Sequence, residues 1–247
     1  MKTTKLSSSG SGLSRAVGAW AVLRRIPRAA LVTRFALGWL VFGPLALMAQ
    51  TNLIPNPGFQ ARDALQTWRV AFPYEGWYAN NGNYVRAVVQ EGRKCVVIEL
   101  PAGIAGNQGG KIESALVKAE PGATYVVKID CMTFDFSAKL HAEAWTHDPA
   151  PIGKPDKFRI PPSAGQPGLV MCYRAQLPDP PSHSKKWDTV TREFTLPETV
   201  TVAGEEQKPE YLSLKAVAYE GTMGAGKSFF TNFTLYKTNA ARSTDSR

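Results

Sequence analysis

Histidine and cysteine are scarce in this 247-residue chain, with three of each. The histidines, His141, His147 and His183, leave little material for acid–base or metal chemistry. The cysteines, Cys95, Cys131 and Cys172, cannot all pair with one another. Each stands in an apolar, strand-like run. They read as one disulfide with a spare thiol in an oxidising compartment, or as three buried thiols. There is no G-x-S-x-G elbow and no H-E-x-x-H pair, which removes the serine-hydrolase and zinc-protease signatures. No stretch keeps a long amphipathic helical period, and no 20–50-residue repeat recurs, so a helical bundle and a solenoid are both excluded.

Acidic residues are absent before Asp63, while Lys2, Lys5, Arg15, Arg24, Arg25, Arg28 and Arg34 precede it. An unbroken apolar run follows from Phe35 to Ala49. That run has the length of a signal-peptide core and falls short of the ~20 residues of a membrane span. Residues 1–49 are therefore expected to be a signal peptide. The protein would be secreted, periplasmic or at the cell surface, and would touch a membrane only if the leader stays uncleaved. The whole chain has 29 basic and 20 acidic residues, a net charge of +9. Taking away the seven basic residues of the leader leaves 22 against 20. Nucleic acid then has no electrostatic case as a partner.

Residues 50–237 are enough for one well-packed core. Proline and glycine are spread throughout, as the turns of an all-β fold require. Runs rich in β-branched and aromatic residues recur at 84–89, 95–100, 111–118, 124–134, 139–146, 169–176, 189–196, 211–219 and 228–236. The first two are joined by residues 90–94, which read as a hairpin loop. Long Pro- and Gly-rich loops are expected over 148–168 and 178–184, and a polar tail over 238–247. Eight to ten such strands imply a jelly-roll β-sandwich of two antiparallel sheets.

Gly221-Thr222-Met223-Gly224-Ala225-Gly226-Lys227-Ser228 matches the phosphate-loop pattern letter for letter. That chemistry needs a helix after the loop, whose N-terminal N–H groups hold the phosphates. Residues 228–236 read as a strand instead, so a glycine-rich hairpin loop is expected and no nucleotide partner.

One stretch stands out as a binding face: His141-Ala142-Glu143-Ala144-Trp145-Thr146-His147. Alternate residues of a strand share a face. His141, Glu143, Trp145 and His147 then lie together, and Leu140, Ala142 and Ala144 face the core. A tryptophan among hydrogen-bonding side chains suits a sugar, which offers an apolar ring face and a rim of hydroxyls. The competing reading is a solvated outer face with Trp145 packed under a loop. Zinc on His141, Glu143 and His147 is disfavoured, because residues two apart on a strand are spaced ~6.5–7 Å. A second aromatic and amide-rich stretch offers Tyr78, Asn80 and Tyr84, beside Trp77. Trp68 and Trp187 read as packing residues, and Tyr173 and Arg174 as possible additions to a groove.

The opening Asn52-Leu53-Ile54-Pro55-Asn56-Pro57-Gly58-Phe59, with Trp68 and Gly76-Trp77 after it, resembles that of carbohydrate-binding modules of families four and nine. Pro121-Gly122-Ala123-Thr124-Tyr125, Trp187-Asp188-Thr189 and Phe229-Phe230-Thr231-Asn232-Phe233-Thr234-Leu235 resemble later strands of the same family. The resemblance covers about residues 52–237 and implies a galactose-binding-like jelly roll. Relatives often hold a structural calcium with acidic groups where this chain has Gln60 and Thr231-Asn232. Calcium prefers several carboxylates, so no cofactor is expected. The resulting expectation is a secreted, non-catalytic protein with a polysaccharide or oligosaccharide as partner. The carbohydrate-binding residues would be Trp145, Glu143, His141, Tyr78, Tyr84 and Asn80, with no catalytic and no metal residues. A structural or adhesive surface protein, or a small glycoside hydrolase, is the alternative on the same fold.

Overall fold

The computed structural model describes residues 50–70, 84–101, 109–134, 137–149, 159–160, 168–219 and 226–238. The expected leader, Tyr78, Asn80, the glycine-rich turn over 221–225 and most of the tail lie outside them. Fourteen strands occur among the described residues. They are β1 (Trp68–Arg69), β2 (Val85–Gln90), β3 (Arg93–Leu100), β4 (Gly110–Ser114), β5 (Val117–Lys118), β6 (Thr124–Phe134) and β7 (Ser137–His147). They continue with β8 (Arg159–Ile160), β9 (Leu169–Gln176), β10 (Asp188–Thr195), β11 (Val200–Val202), β12 (Glu205–Gln207), β13 (Tyr211–Tyr219) and β14 (Gly226–Lys237).

The larger sheet runs β1-β4-β13-β7-β9-β8, with β5 also on β13, and the smaller runs β10-β6-β14-β3-β2. Every strand pairing among the described residues is antiparallel. Leaving aside β2, which only adds a hairpin partner to β3, the strands of five residues or more, β3, β4, β6, β7, β9, β10, β13 and β14, divide four and four between the sheets. The chain changes sheet at each step except from β7 to β9. That alternation is the double Greek key of a jelly roll. The expected all-β sandwich of two antiparallel sheets is the observed one.

Period-two alternation sets the core. On the larger sheet Leu140, Ala142 and Ala144 of β7 and Leu212, Leu214, Ala216 and Ala218 of β13 point inward. They meet Val96, Ile98 and Leu100 of β3, Val127 and Ile129 of β6, and Phe230, Phe233 and Leu235 of β14. Alanines on one sheet leave room for phenylalanines on the other, so the two inner faces interdigitate. A bulge in β14 between Thr231 and Thr234 keeps that phase. Asn232 takes a positive φ of 51° there. The extra residue lets Phe230, Phe233 and Leu235 all face inward.

The N-terminal segment closes one end of the core. Asn52 donates through Nδ2 to the Phe233 carbonyl and accepts at Oδ1 from the N–H groups of Ile54 and Leu235. Trp68 Nε1 donates to the Asn56 carbonyl. Its ring packs 5.0 Å from Phe59 and 4.6 Å from Phe233. Trp68 is thus the packing residue the sequence suggested.

Three local expectations change. The hairpin of β2 and β3 has a two-residue turn, Glu91-Gly92, with both φ values positive, rather than a loop over 90–94. Such a turn matches the twist of its strands. The run 111–118 breaks into β4 and β5, and at the break the Leu214 N–H donates to Ser114 Oγ. The cysteines are all free thiols. Cys131 faces the core, while Cys95 lies in a separate cluster with Val97, Met132 and Phe229 on the other face of the smaller sheet. Burial pushes the Cys95, Cys131 and Cys172 thiols up to about 11, 12 and 11, which keeps them protonated.

Gly109, just before β4, has φ of 64°, and a Cβ there would fall well inside contact with the Ala218 carbonyl. Gly109→Ala is expected to destabilise the protein by about 2–3 kcal/mol. Urea denaturation checks this; an unchanged midpoint would contradict it.

Candidate functional site

The outward face of the larger sheet is polar, yet its centre is buried. Alternation on β7 places His141, Glu143 and Trp145 on it, as expected. Alternation on β13 adds Ser213 and Lys215, on β4 Glu113, on β1 Arg69 and on β9 Arg174. In register, Arg69 lies opposite Glu113, Glu113 opposite Lys215, and Glu143 opposite Arg174. These are the positions at which cross-strand pairs meet.

Together they make a ladder of alternating charge across five strands. Arg69 Nη2 is 2.6 Å from Glu113 Oε2, and Lys215 Nζ is 3.6 Å from that same oxygen. Lys215 also pairs with Glu143 Oε2. Arg174 closes the row, with Nε at 2.9 Å and Nη2 at 2.7 Å from Glu143 Oε1. Glu143 is 0% exposed, Glu113 1% and Lys215 4%. Ser213 Oγ donates to Glu113 Oε1 at 2.8 Å, and Trp145 Nε1 donates to Ser213 Oγ at 2.9 Å.

Trp145 is not an open platform. Its ring is 1% exposed, with Lys215 Nζ 5.9 Å from its centroid. The sequence placed Trp145 on the right face but could not show that the face is enclosed. The sheet is also curled. A cavity of about 330 Å³ is lined by Thr67, Trp68, Arg69, Glu113 and Leu116 at one edge and by Ile160 of β8 at the other. β1 and β8 are the two ends of a six-strand path, which would stand ~24 Å apart in a flat sheet. Edges that line one cavity require strong curvature.

Electrostatics separates the titratable groups. Burial would raise the Glu113 carboxyl, but Lys215 and Arg69, with hydrogen bonds from Arg69 and Ser213, hold it below its ordinary value. Burial, aided by the charges of Arg174, Lys215 and Lys139, pushes His141 down to about 4. The imidazole is therefore neutral at pH 7. Its Nδ1 is buried without a hydrogen-bond partner. A buried polar atom left without a partner costs ~1–3 kcal/mol.

The remaining sequence candidates disperse. His147 sits exposed at the end of β7 and its Nδ1 pairs with Glu210. Tyr84 precedes β2 and lines a different cleft on the smaller sheet, so it does not join His141, Glu143 and Trp145. Tyr78 and Asn80 lie outside the described residues. Trp187 packs on the cluster around Cys95, with the Arg93 guanidinium 5.1 Å from its ring centroid. Where the resemblance implies calcium, Gln60 Nε2 donates to the Gly58 carbonyl and Asn232 Nδ2 to Asp130. Two amides and one carboxylate do not fit a calcium ion. Among the described residues no group of His, Cys, Asp and Glu is arranged to hold a metal.

Sequence reasoning missed Arg69, Glu113, Ser213 and Lys215, and gave Arg174 little weight. A signal existed: Ser213 and Lys215 interrupt Leu212, Leu214 and Ala216 at period two, and Lys111 and Glu113 flank Ile112 likewise.

No family model matches the chain, and no curated protein matches it. Solved structures with a similar fold include carbohydrate-binding modules. One is of family 61, in complex with β-1,4-galactotriose, with a TM-score of 0.43 and 13% identity over 76% of this chain and 99% of that one. A family 4 module has a TM-score of 0.43 and 14% identity over 75% and 99%. A cyclase from Fischerella sp. TAU has a TM-score of 0.42 and 14% identity over 75% and 96%. These likenesses concern the fold, and nothing about a ligand follows from them.

Two outcomes follow from the ladder. Lys215→Met leaves two buried carboxylates short of a cation and is expected to cost about 3 kcal/mol. Adding Glu143→Gln should recover part of that loss in urea denaturation; no recovery would count against the coupling. For His141, the unfolded imidazole takes a proton as pH falls through 6.5 and the folded one only near 4. Stability present above pH 6.5 is therefore lost as pH falls toward 4, by up to about 3 kcal/mol. His141→Gln should flatten that part of the stability–pH curve, and an equal slope in both proteins would refute the assignment.

Proposed function

We propose that this chain is an exported, non-catalytic carbohydrate-binding protein that receives a saccharide within the curl of the larger sheet. The observation that carries this reading is the cavity beside Arg69 and Glu113. It combines the apolar walls of Trp68, Leu116 and Ile160 with a cation and a carboxylate. A sugar residue needs that combination: an apolar surface for its ring face, and donors and acceptors fixed for its hydroxyls. Its volume of about 330 Å³ lies at the small end of ligand pockets. Further along the same face, Glu143, Trp145 and His141 are buried and support the site from behind rather than meet the ligand. Hydroxyl hydrogen bonds, rather than stacking on Trp145, would supply the affinity.

The charge state favours binding over hydrolysis. A glycosidase acid must keep its proton near neutrality, which demands a raised carboxyl pKa. Glu113 is shifted the other way, and Glu143 is held between Lys215 and Arg174. The basic, apolar leader over residues 1–49 supports export.

An array of neutral oligosaccharides probed with the full chain, followed by calorimetry on the best ligand, tests the reading. Arg69→Gln is expected to weaken binding by about tenfold or more, with His141→Gln weakening it less. The reading fails if no glycan binds, or if Arg69→Gln binds as tightly as the native protein. Turnover of a glycoside that Glu143→Gln abolishes would make the chain a hydrolase instead.

A further inference from the structure

A second cleft lies on the outward face of the smaller sheet, at the end where β2, β3, β6 and β14 meet. Its volume is about 570 Å³, and Tyr84, Arg86, Glu99, Phe134 and Lys227 line it. Lys227 is the cation of the glycine-rich match, and its position decides what the cleft can hold. In register it lies opposite Glu99 on one side and Phe134 on the other. Glu99, however, pairs with Arg86. The Lys227 ammonium instead meets two ring faces, 5.5 Å from the centroid of Phe134 and 5.8 Å from that of Phe229. Among the described residues no carboxylate lies within ion-pair distance of it. Among the described residues, the cleft therefore holds one positive charge that no side chain neutralises.

A ligand that completes this arrangement has three features. It carries an anion for Lys227. It has a flat apolar face for the rings of Tyr84 and Phe134. It also bears hydroxyl donors, because the oxygens of Glu99 only accept and would repel a further anion. A nucleoside phosphate would set a more highly charged group beside Glu99, and the backbone groups of Gly226–Lys237 that could cradle it are engaged in the sheet. We propose that this cleft binds a carboxylated sugar residue, a uronic acid, with its carboxylate on Lys227 and its hydroxyls on Glu99 and Arg86. The inference rests on the reading of the chain as a glycan binder, but on a different site from the cavity beside Arg69.

The Arg86–Glu99 pair is half exposed on both sides. Such pairs hold weakly, so the pair opens at little cost when a ligand enters. Removing Glu99 removes repulsion as well as a hydroxyl acceptor, and the repulsion acts only on an acidic ligand.

Calorimetry on the full chain with trigalacturonic acid and with galactotriose tests this. The acid should bind the native protein, with an affinity that falls as salt is raised. Lys227→Met should weaken the acid by about tenfold or more, and Glu99→Gln should leave it equal or tighter. Galactotriose should be indifferent to Lys227→Met and should respond to Arg69→Gln. A single cooperative thermal transition above the assay temperature confirms that each variant is folded; Arg69→Gln, which leaves Glu113 with Lys215 alone, is expected to melt lower than the native protein. The inference is overturned if trigalacturonic acid does not bind, or if Lys227→Met leaves its affinity unchanged. Neutral-sugar binding lost in Arg69→Gln, with no acid binding, would sink this site and leave the other standing. Acid binding lost only in Lys227→Met, with no neutral-sugar binding, would do the reverse.

Discussion

The alternating charge ladder from Arg69 to Arg174 is the constraint on which the larger sheet depends. Glu113 and Glu143 are almost wholly removed from water, and an isolated buried carboxylate costs several kcal/mol even after relaxation. Each has two cations in reach, and every cation comes from a neighbouring strand. The arrangement works in only one register. A slip of one residue in β13 would send Lys215 into the core and turn Leu214 outward. The polar face thus fixes the strand alignment that the inner face, built of alanine and leucine, uses for packing. Buried ion pairs are poor at adding net stability compared with apolar residues of similar volume. Their effect here is to select one alignment of the strands rather than to add to stability.

The two sheets solve opposite problems. The smaller one is apolar on both faces near β3, β6 and β14. Val96, Ile98 and Phe230 look inward, while Cys95, Val97, Met132 and Phe229 form a second cluster outside. The larger one is apolar inside and charged outside, and it is curled. The curvature is supported by irregularities: the break at Ser114 between β4 and β5, and the extra residue in β9 where the register shifts beside Trp145. Bulges of this kind bend a strand and raise its local twist.

This explains which parts of the molecule were legible in the sequence. Nine strands could be read from alternation and turn residues, because both signals are local. The two-residue strands β1 and β8 could not, since a pair of residues carries no period. The hairpin of β11 and β12 was missed too, although Ala203-Gly204 gives it a positive-φ turn. The shared face of His141, Glu143 and Trp145 was legible from parity alone. The burial of Trp145 was not, because its indole N–H is met by Ser213, 68 residues further on. Lys215 carries the ladder, yet its own strand looks like an ordinary core strand with one misplaced lysine.

The glycine-rich match shows how far context decides the use of a motif. In a phosphate loop the lysine acts together with free backbone N–H groups at a helix N-terminus. Here Gly226, Lys227 and Ser228 open strand β14, between β3 and β6. Alternation sends Lys227 outward to the cleft and Ser228 inward, where it is fully buried. The backbone is committed to two neighbouring strands, so whatever meets Lys227 is recognised by side chains alone. A cation set among aromatic rings, beside a carboxylate already paired with arginine, selects for charge together with shape. The same three letters that would hold a phosphate in a loop become, on a strand, one corner of a side-chain site.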